Sequence, residues 1–260
     1  MIDDGVIAFR RRGITIGEAY FDADPTDTGD LGRIDLLRTV GAFSPPARTG
    51  ARERHTLVID LAADEDRLLE EMSKDTRSKI RRAMQKDPLE VAAVDDPSSA
   101  AVDAFADFYD HFAAVQSVSG AFRPRLHALA RQGNLVLTTV TGEDSEPLVQ
   151  HAYVAARGRS YMLYSGSTLA LAADSGARNL IGRANRYLHW NDIRHFKERG
   201  FALYDFGGLD VSERSEKTAG IARFKRGFGG DVRPVYSTTS PRSLVGSVVH
   251  RILGLRGVDF

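Results

Sequence analysis

The chain has 260 residues, a formal charge that balances to zero, and 42% hydrophobic and 27% charged residues, the composition of an ordinary globular protein of one large domain or two small ones. Zero net charge argues against a molecule that binds polyanions over its whole surface, and the lack of cysteine excludes disulfides, thiolate metal sites and a cysteine nucleophile. No apolar run approaches the roughly twenty residues that span a bilayer, and Met1-Ile2-Asp3-Asp4 has neither the basic nor the apolar region of a signal peptide, so a cytoplasmic location is expected.

In chain order, residues 6–20 alternate weakly and predict a hairpin turning at Arg12-Gly13. Residues 22–46 are rich in Asp, Gly, Thr and Pro and carry one short apolar segment, 34–40. Residues 1–55 are therefore read as an N-terminal extension. A strand is predicted over 56–61 and a single helix over 64–86, with Leu69, Met72, Ile80 and Ala83 on one face and Pro88 ending it. A strand follows at 89–94. The next helix is capped by Ser98 or Ser99, runs to about Gln116 and carries a stripe of Val102, Phe105, Phe108, Tyr109 and Phe112. A second helix over 123–131 stops at Gly133. Strands at 135–141, 147–156 and 160–167 are separated by Gly142-Glu143-Asp144 and Arg157-Gly158-Arg159, which makes an antiparallel meander. A long helix over 177–199, a strand at 201–206, a helix at 216–226 and a strand at 232–236 complete the core. Residues 241–257 predict a last amphipathic helix. The pattern by itself is mixed α/β with a partly antiparallel sheet.

The most informative stretch is Tyr204-Asp205-Phe206-Gly207-Gly208, then a polar loop, then Gly220-Ile221-Ala222-Arg223-Phe224-Lys225-Arg226-Gly227-Phe228-Gly229-Gly230. A hydrophobic strand enters two glycines, and a short basic helix leaves through three more. The glycines read as tight turns at both ends. The arrangement resembles the Fem-type branch of the GNAT superfamily, which includes peptidoglycan bridge-forming aminoacyltransferases and related glycan N-acyltransferases. The element order is also that of a complete GNAT domain. The resemblance implies a GNAT-like acyltransferase domain over 56–240, flanked by the extension 1–55, a remnant of a first GNAT unit, and by the segment 241–260. It implies neighbouring strands at 160–168 and 201–206, splayed at one end.

Function follows as an expectation: N-acyl or N-aminoacyl transfer to an amine of a cell-wall or polysaccharide precursor. Two alternatives stand beside it. One is an acyl-CoA-dependent N-acetyltransferase of exopolysaccharide biosynthesis. The other is a noncatalytic GNAT-fold binding module. No tightly bound cofactor and no metal are expected. The donor is either aminoacyl-tRNA or acyl-CoA. The usual acyl-CoA loop at the start of the long helix is replaced by Asp174-Ser175-Gly176-Ala177-Arg178, which weakens plain acetyl-CoA binding. The expected partners are a glycan or peptidoglycan precursor, tRNA as donor, and a peripheral membrane contact through 241–257.

The candidate residues divide by chemistry. Lys225, beside Phe224, reads either as a solvated charge or as a cation stabilising a forming oxyanion. The glycine bracket favours the second. Asp205 reads as a strand-end carboxylate, either packed or serving as a general base. The match of Asp205-Phe206-Gly207 to the kinase Asp-Phe-Gly fails, because the other kinase motifs are missing. His151 lies mid-strand and is a core histidine or a base. Tyr161 and Tyr164 lie three apart on the central strand and should point to opposite faces, one toward substrate. Gly207 and Gly208 are read as substrate-approaching turn residues, and Arg223 as a phosphate or surface contact. Arg77 and Arg81 belong to a basic helix that is either solvated or binds an anionic substrate.

Overall fold

The computed structural model describes residues 6–22, 32–45, 50–212 and 215–256. Ten strands form one sheet. They are β1 (Val6–Arg11), β2 (Ile14–Tyr20), β3 (Leu36–Ala42), β4 (Arg52–Asp60), β5 (Glu90–Val94), β6 (Leu135–Thr141), β7 (Pro147–Ala156), β8 (Arg159–Ser167), β9 (Leu203–Leu209) and β10 (Asp231–Pro241). Their spatial order is β1-β2-β3-β10-β4-β9-β8-β7-β6-β5. All pairs are antiparallel except β2–β3 and β8–β9. The helices are α1 (Glu65–Glu71), α2 (Lys74–Lys86), α3 (Ser99–Gln116), α4 (Arg123–Arg131), α5 (Ser175–Glu198), α6 (Glu216–Arg226) and α7 (Leu244–Arg256).

Period-two alternation divides the core between the two faces of the sheet. Leu135, Leu137, Ala152 and Val154 pack with Val102 and Phe105 of α3 and Leu126 and Leu129 of α4. Val136, Tyr153 and Ala155 pack on the opposite face with Ile80 of α2, Trp190 and Phe196 of α5 and Ala222 of α6. Buried apolar side chains on both faces make this a three-layer fold, each contributing roughly 1.5–3 kcal/mol of transfer free energy.

The N-terminal strands are part of that sheet. The hairpin turns where predicted, with Arg12 (φ 48°) and Gly13 (φ 86°) both left-handed. Strand β10 is eleven residues long rather than five, and it pairs with β4 along one edge and β3 along the other. The sheet thereby runs on into the hairpin, whose Phe9 meets Phe122 of α4 edge-on at 5.4 Å. Residues 1–5, 23–31 and 46–49 of the expected extension lie outside the described residues.

Two further expectations are corrected. The single helix over 64–86 is two helices. Ser73 caps α2 by accepting from Thr76 N, and Met72 is extended. The buried residue of α1 is Leu68, not Leu69. Gly207-Gly208 do not end the strand, because β9 continues through them to Leu209.

Candidate active site

The site starts from a parallel pairing that stops short. Strands β8 and β9 pair over Arg159–Tyr161 and Leu203–Asp205 and no further, although both continue. Two bulges face each other beyond that point. Against β7, the register of β8 shifts between Tyr164 and Met162, so Leu163 is an extra residue without a partner across β7. Against β4, the register of β9 shifts between Gly208 and Asp205, leaving two residues opposite one. Gly207 sits in that bulge at φ +68°, and a Cβ there would lie 2.6 Å from the Met162 carbonyl oxygen. The close approach requires glycine. The resulting V is the splay expected between these strands.

The β8 bulge also changes which tyrosines share a face. An extra residue reverses the alternation beyond it, so Tyr161 and Tyr164 pack against the same core cluster, with Met162 on the other side. The expectation of opposite faces is corrected. Tyr161 meets Phe21 edge-on at 6.4 Å. Tyr164 stands 4.6 Å from Tyr109, and its hydroxyl accepts from Phe122 N at 3.1 Å. Leu163 and Tyr164 line a cavity of about 500 Å³ with Phe9, Tyr109, Phe122 and Arg125. One wall is polar: the buried Glu18 carboxylate accepts from Arg38 at 2.8 Å and pairs with Arg125 at 2.7 Å. The cavity therefore opens beside the splay, between the N-terminal hairpin and the α3–α4 connection. Tyr109 was legible only as part of the helix stripe, and Leu163 and Arg125 carried no sequence signal.

Asp205 is fully buried and its oxygens are committed. Arg159 grips the carboxylate through Nε at 2.8 Å and through Nη2. Gly207 N donates to it at 2.7 Å. The Thr56 hydroxyl bridges it and the Gly207 carbonyl, the latter at 2.8 Å. Arg159 also donates to the Gly41 carbonyl at 2.7 Å and lies 4.0 Å over the Phe43 ring. A carboxylate bonded in this way has no lone pair facing an incoming amine. The structure thus makes Asp205 a strut joining β4, β8, β9 and the end of β3, in place of a general base.

Lys225 is buried too, with 8% exposure. Its ammonium donates to the carbonyls of Phe206 (2.8 Å) and Gly208 (2.7 Å), with Gly207 O at 3.4 Å. Burial pulls it down to about 8 from the ordinary lysine value of 10.5. Its three protons go to the backbone of the β9 bulge, so the cation shapes the splay and does not project into it. Phe224 packs edge-on against Phe228 at 5.4 Å and lies tilted against His189 at 5.5 Å.

His151 faces α5, on the side of the sheet opposite the cavity. It stands 2.8 Å from Asp192 through Nδ1 and 3.2 Å from the Asn185 amide through Nε2. Tyr153 donates to the same Asp192 oxygen at 2.6 Å, Tyr204 lies 2.7 Å from Tyr153, and His189 lies 2.7 Å from Tyr204. Burial holds His189 well below the ordinary imidazole value and raises both tyrosines. The fold brings ligand atoms of His151, His189 and Asp192 within 4.8 Å of one another, a grouping that sequence spacing does not show. The tyrosine hydroxyls and Asn185 join these three groups in one hydrogen-bonded network. His151 is buried on the opposite side of the sheet from the cavity, with both ring nitrogens in contact with α5.

The remaining candidates stand apart. Arg77 donates to the carbonyls of Leu69, Glu70 and Met72, which caps the C-terminus of α1. Arg81 and Arg223 are exposed on the outer faces of α2 and α6. At the start of α5 the Asp174 carboxylate accepts from Ala177 N at 2.8 Å, so an acid already occupies the amide end that would hold a phosphate.

A GNAT acetyltransferase domain model matches residues 70–226, more than half of the chain. The chain belongs to the GNAT family. It is an acyltransferase by that membership, with an acyl donor as co-substrate. No curated protein matches it in sequence. Among solved structures, FemX aligns over 95% of this chain and 86% of its own, with TM-score 0.61 and 12% identity. The C-terminal domain of a putative lysylphosphatidylglycerol synthetase from Agrobacterium fabrum aligns over 95% and 85%, with TM-score 0.57 and 16% identity. L-PGS from Bacillus licheniformis aligns over 96% and 84%, with TM-score 0.52 and 14% identity. At these identities the likeness is one of fold, and its extent includes the N-terminal strands.

Proposed function

We propose that the protein transfers an acyl or aminoacyl group to an amine of a cell-wall or polysaccharide precursor. The observation that carries this reading is the double bulge that opens β8 from β9 beside an aromatic cavity. Backbone amides that leave a ladder at a bulge are fixed donors. A carbonyl held against them gains stabilisation as its oxygen becomes negative. The donor's carbonyl would sit in the splay, on the β8 backbone around Leu163. The acceptor amine would enter from the cavity, where Tyr109, Tyr164 and Phe122 offer faces to a sugar ring and the Arg125–Glu18 pair offers a polar wall. The amine nitrogen attacks the carbonyl carbon and an amide forms. The C–S or C–O bond to the donor breaks, and the proton lost by the amine ends on the leaving thiol or hydroxyl. Asp205 and Lys225 act through geometry, by holding the β9 arm of the splay.

A direct assay distinguishes the donor: purified protein is incubated with acetyl-CoA or aminoacyl-tRNA and with amino-sugar nucleotides or peptidoglycan precursor peptides, and products are read by mass. An acceptor that gains one acyl or aminoacyl mass supports the reading. No gain with any donor on any amine acceptor refutes it. The Asp174 cap supports aminoacyl-tRNA over plain acetyl-CoA.

One observation favours a lipid-linked acceptor. Helix α7 exposes Leu244, Val245, Val248 and Ile252, and residues 241–257 contain no acid and three arginines. An apolar ridge in an acid-free helix suits the surface of an anionic bilayer. Among the described residues no helix is long and apolar enough to cross a membrane.

A further inference from the structure

Four buried side-chain atoms among the described residues have no hydrogen-bond partner: Asn134 Oδ1, Thr138 Oγ1, Gln150 Oε1 and Arg186 Nε. The last belongs to a charge, which makes it the most costly to leave unsatisfied. Arg186 lies on α5, where α5 meets α2 and α6. Its Nη1 donates to the Gly182 carbonyl at 3.0 Å, and its guanidinium lies 4.8 Å over the Phe224 ring. The facing acid is Asp75, at 3.9 Å from Nη2, and that carboxylate is already bound to Lys79 at 2.8 Å. Burial pulls the guanidinium below its ordinary value, yet arginine stays charged at neutral pH. The side chain keeps 17% exposure, although Nε itself is buried.

The surroundings connect this charge to the splay. Phe224 packs on His189 at 5.5 Å, and His189 packs on Phe206 at 4.9 Å. Phe206 is the residue whose carbonyl Lys225 holds in the β9 bulge. Arg186 thus stands two ring layers from the strand that forms one arm of the site, on the helical face opposite the cavity.

We propose that Arg186 anchors the acyl donor by taking a phosphate group of its nucleotide portion at the α2–α5–α6 junction, an inference that rests on the acyl-transfer reading for naming the ligand a donor. Nη2, held only by Asp75 at 3.9 Å, is the guanidinium donor left to meet phosphate oxygens, with the orphaned Nε beside it turning toward the same anion as the side chain moves. Coenzyme A and the 3′ end of an aminoacylated RNA both present a nucleotidyl phosphate, so the shared chemistry is that phosphate. Without ligand, the buried and under-bonded cation costs the fold free energy. An uncharged side chain of similar length removes that cost together with the binding.

The test compares wild type, Arg186→Met and Arg186→Lys in two measurements. The first is the melting temperature without ligand. The second is the affinity for coenzyme A and for an unacylated RNA minihelix ending in single-stranded CCA, by calorimetry. The expected result is that wild type binds one of the two, which identifies the source of the phosphate. Arg186→Met then melts at the wild-type temperature or higher and binds at least about tenfold more weakly. Arg186→Lys falls between them. A drop of more than about 5 °C in Arg186→Met overturns the proposal, because the guanidinium is then a structural strut. Unchanged affinity in Arg186→Met overturns it, as does a wild type that binds neither ligand up to about 1 mM. A wild type that binds through Arg186 but acylates no amine leaves the anchor standing and removes the acyl-transfer reading, so the two failures are separable.

Discussion

Replacing Lys225 by Met removes an ammonium while keeping most of its volume, and the consequence can be worked from its contacts. The Phe206 and Gly208 carbonyls lose donors at 2.8 and 2.7 Å, whereas the Gly207 carbonyl keeps the Thr56 hydroxyl at 2.8 Å. Stripping the buried Phe206 carbonyl and the part-buried Gly208 carbonyl costs up to about 2–6 kcal/mol. The Met variant no longer buries a charge, and this offsets part of the loss. The folded ammonium releases its proton at about 8 against 10.5 for an ordinary lysine, a difference that corresponds to about 3 kcal/mol. Together these leave the variant within about 3 kcal/mol of wild type at pH 7. The pH dependence carries the sharper sign. Between pH 8 and 10.5 the unfolded chain binds more protons at Lys225 than the folded one does, so this residue makes wild-type stability rise with pH in that window. The Met variant lacks the rise. The gap between the two proteins should therefore widen by up to about 3 kcal/mol from pH 7 to pH 10.5. Urea titrations followed by the fluorescence of Trp190, the single tryptophan and 2% exposed, measure the gap at each pH. A gap that stays constant or narrows refutes the burial argument, and a variant as stable as wild type at every pH would make Lys225 a solvated charge.

Other predictions test the same region. Gly207→Ala should lose about 2–3 kcal/mol, because φ is +68° and the Met162 carbonyl lies 2.6 Å from the new Cβ; Gly208→Ala, with no atom within 4 Å, should stay within about 0.5 kcal/mol. Equal effects in calorimetry would contradict the bulge assignment. Arg159→Met and Asp205→Asn should each cost about 3–5 kcal/mol by stranding a buried partner, and the double variant should cost less than the two losses combined. Additive losses in a denaturation cycle would show that the pair is not coupled. Ser73→Ala should cost about 1 kcal/mol by uncapping α2, and an unchanged melting temperature would count against the helix break.

Much of the architecture was legible from local rules. Caps, glycine stops and apolar periodicity located α3, α4, α5, α6 and the β6–β8 meander, because each depends on neighbours within a few residues. The Gly-rich motif likewise pointed to the strand and helix that build the splay. Other features depended on contacts far apart in sequence. The sequence pattern of 64–86 is helical throughout, and the break that starts α2 joins the local Ser73 cap to a distant contact, Ser73 N on the Gly227 carbonyl at 2.9 Å. The β8 bulge has no composition signature, so a period-two reading put Tyr161 and Tyr164 on opposite faces when one extra residue places them on the same face. The identity of Asp205 and Lys225 as polar residues near the motif was plain, but their roles were set by partners 46 residues away at Arg159 and 17–19 residues away at 206–208. Sequence determines which groups a chain carries and how each segment prefers to fold. Whether a charge meets solvent, a backbone carbonyl or an opposite charge is decided by burial, and burial exists only once distant segments have packed.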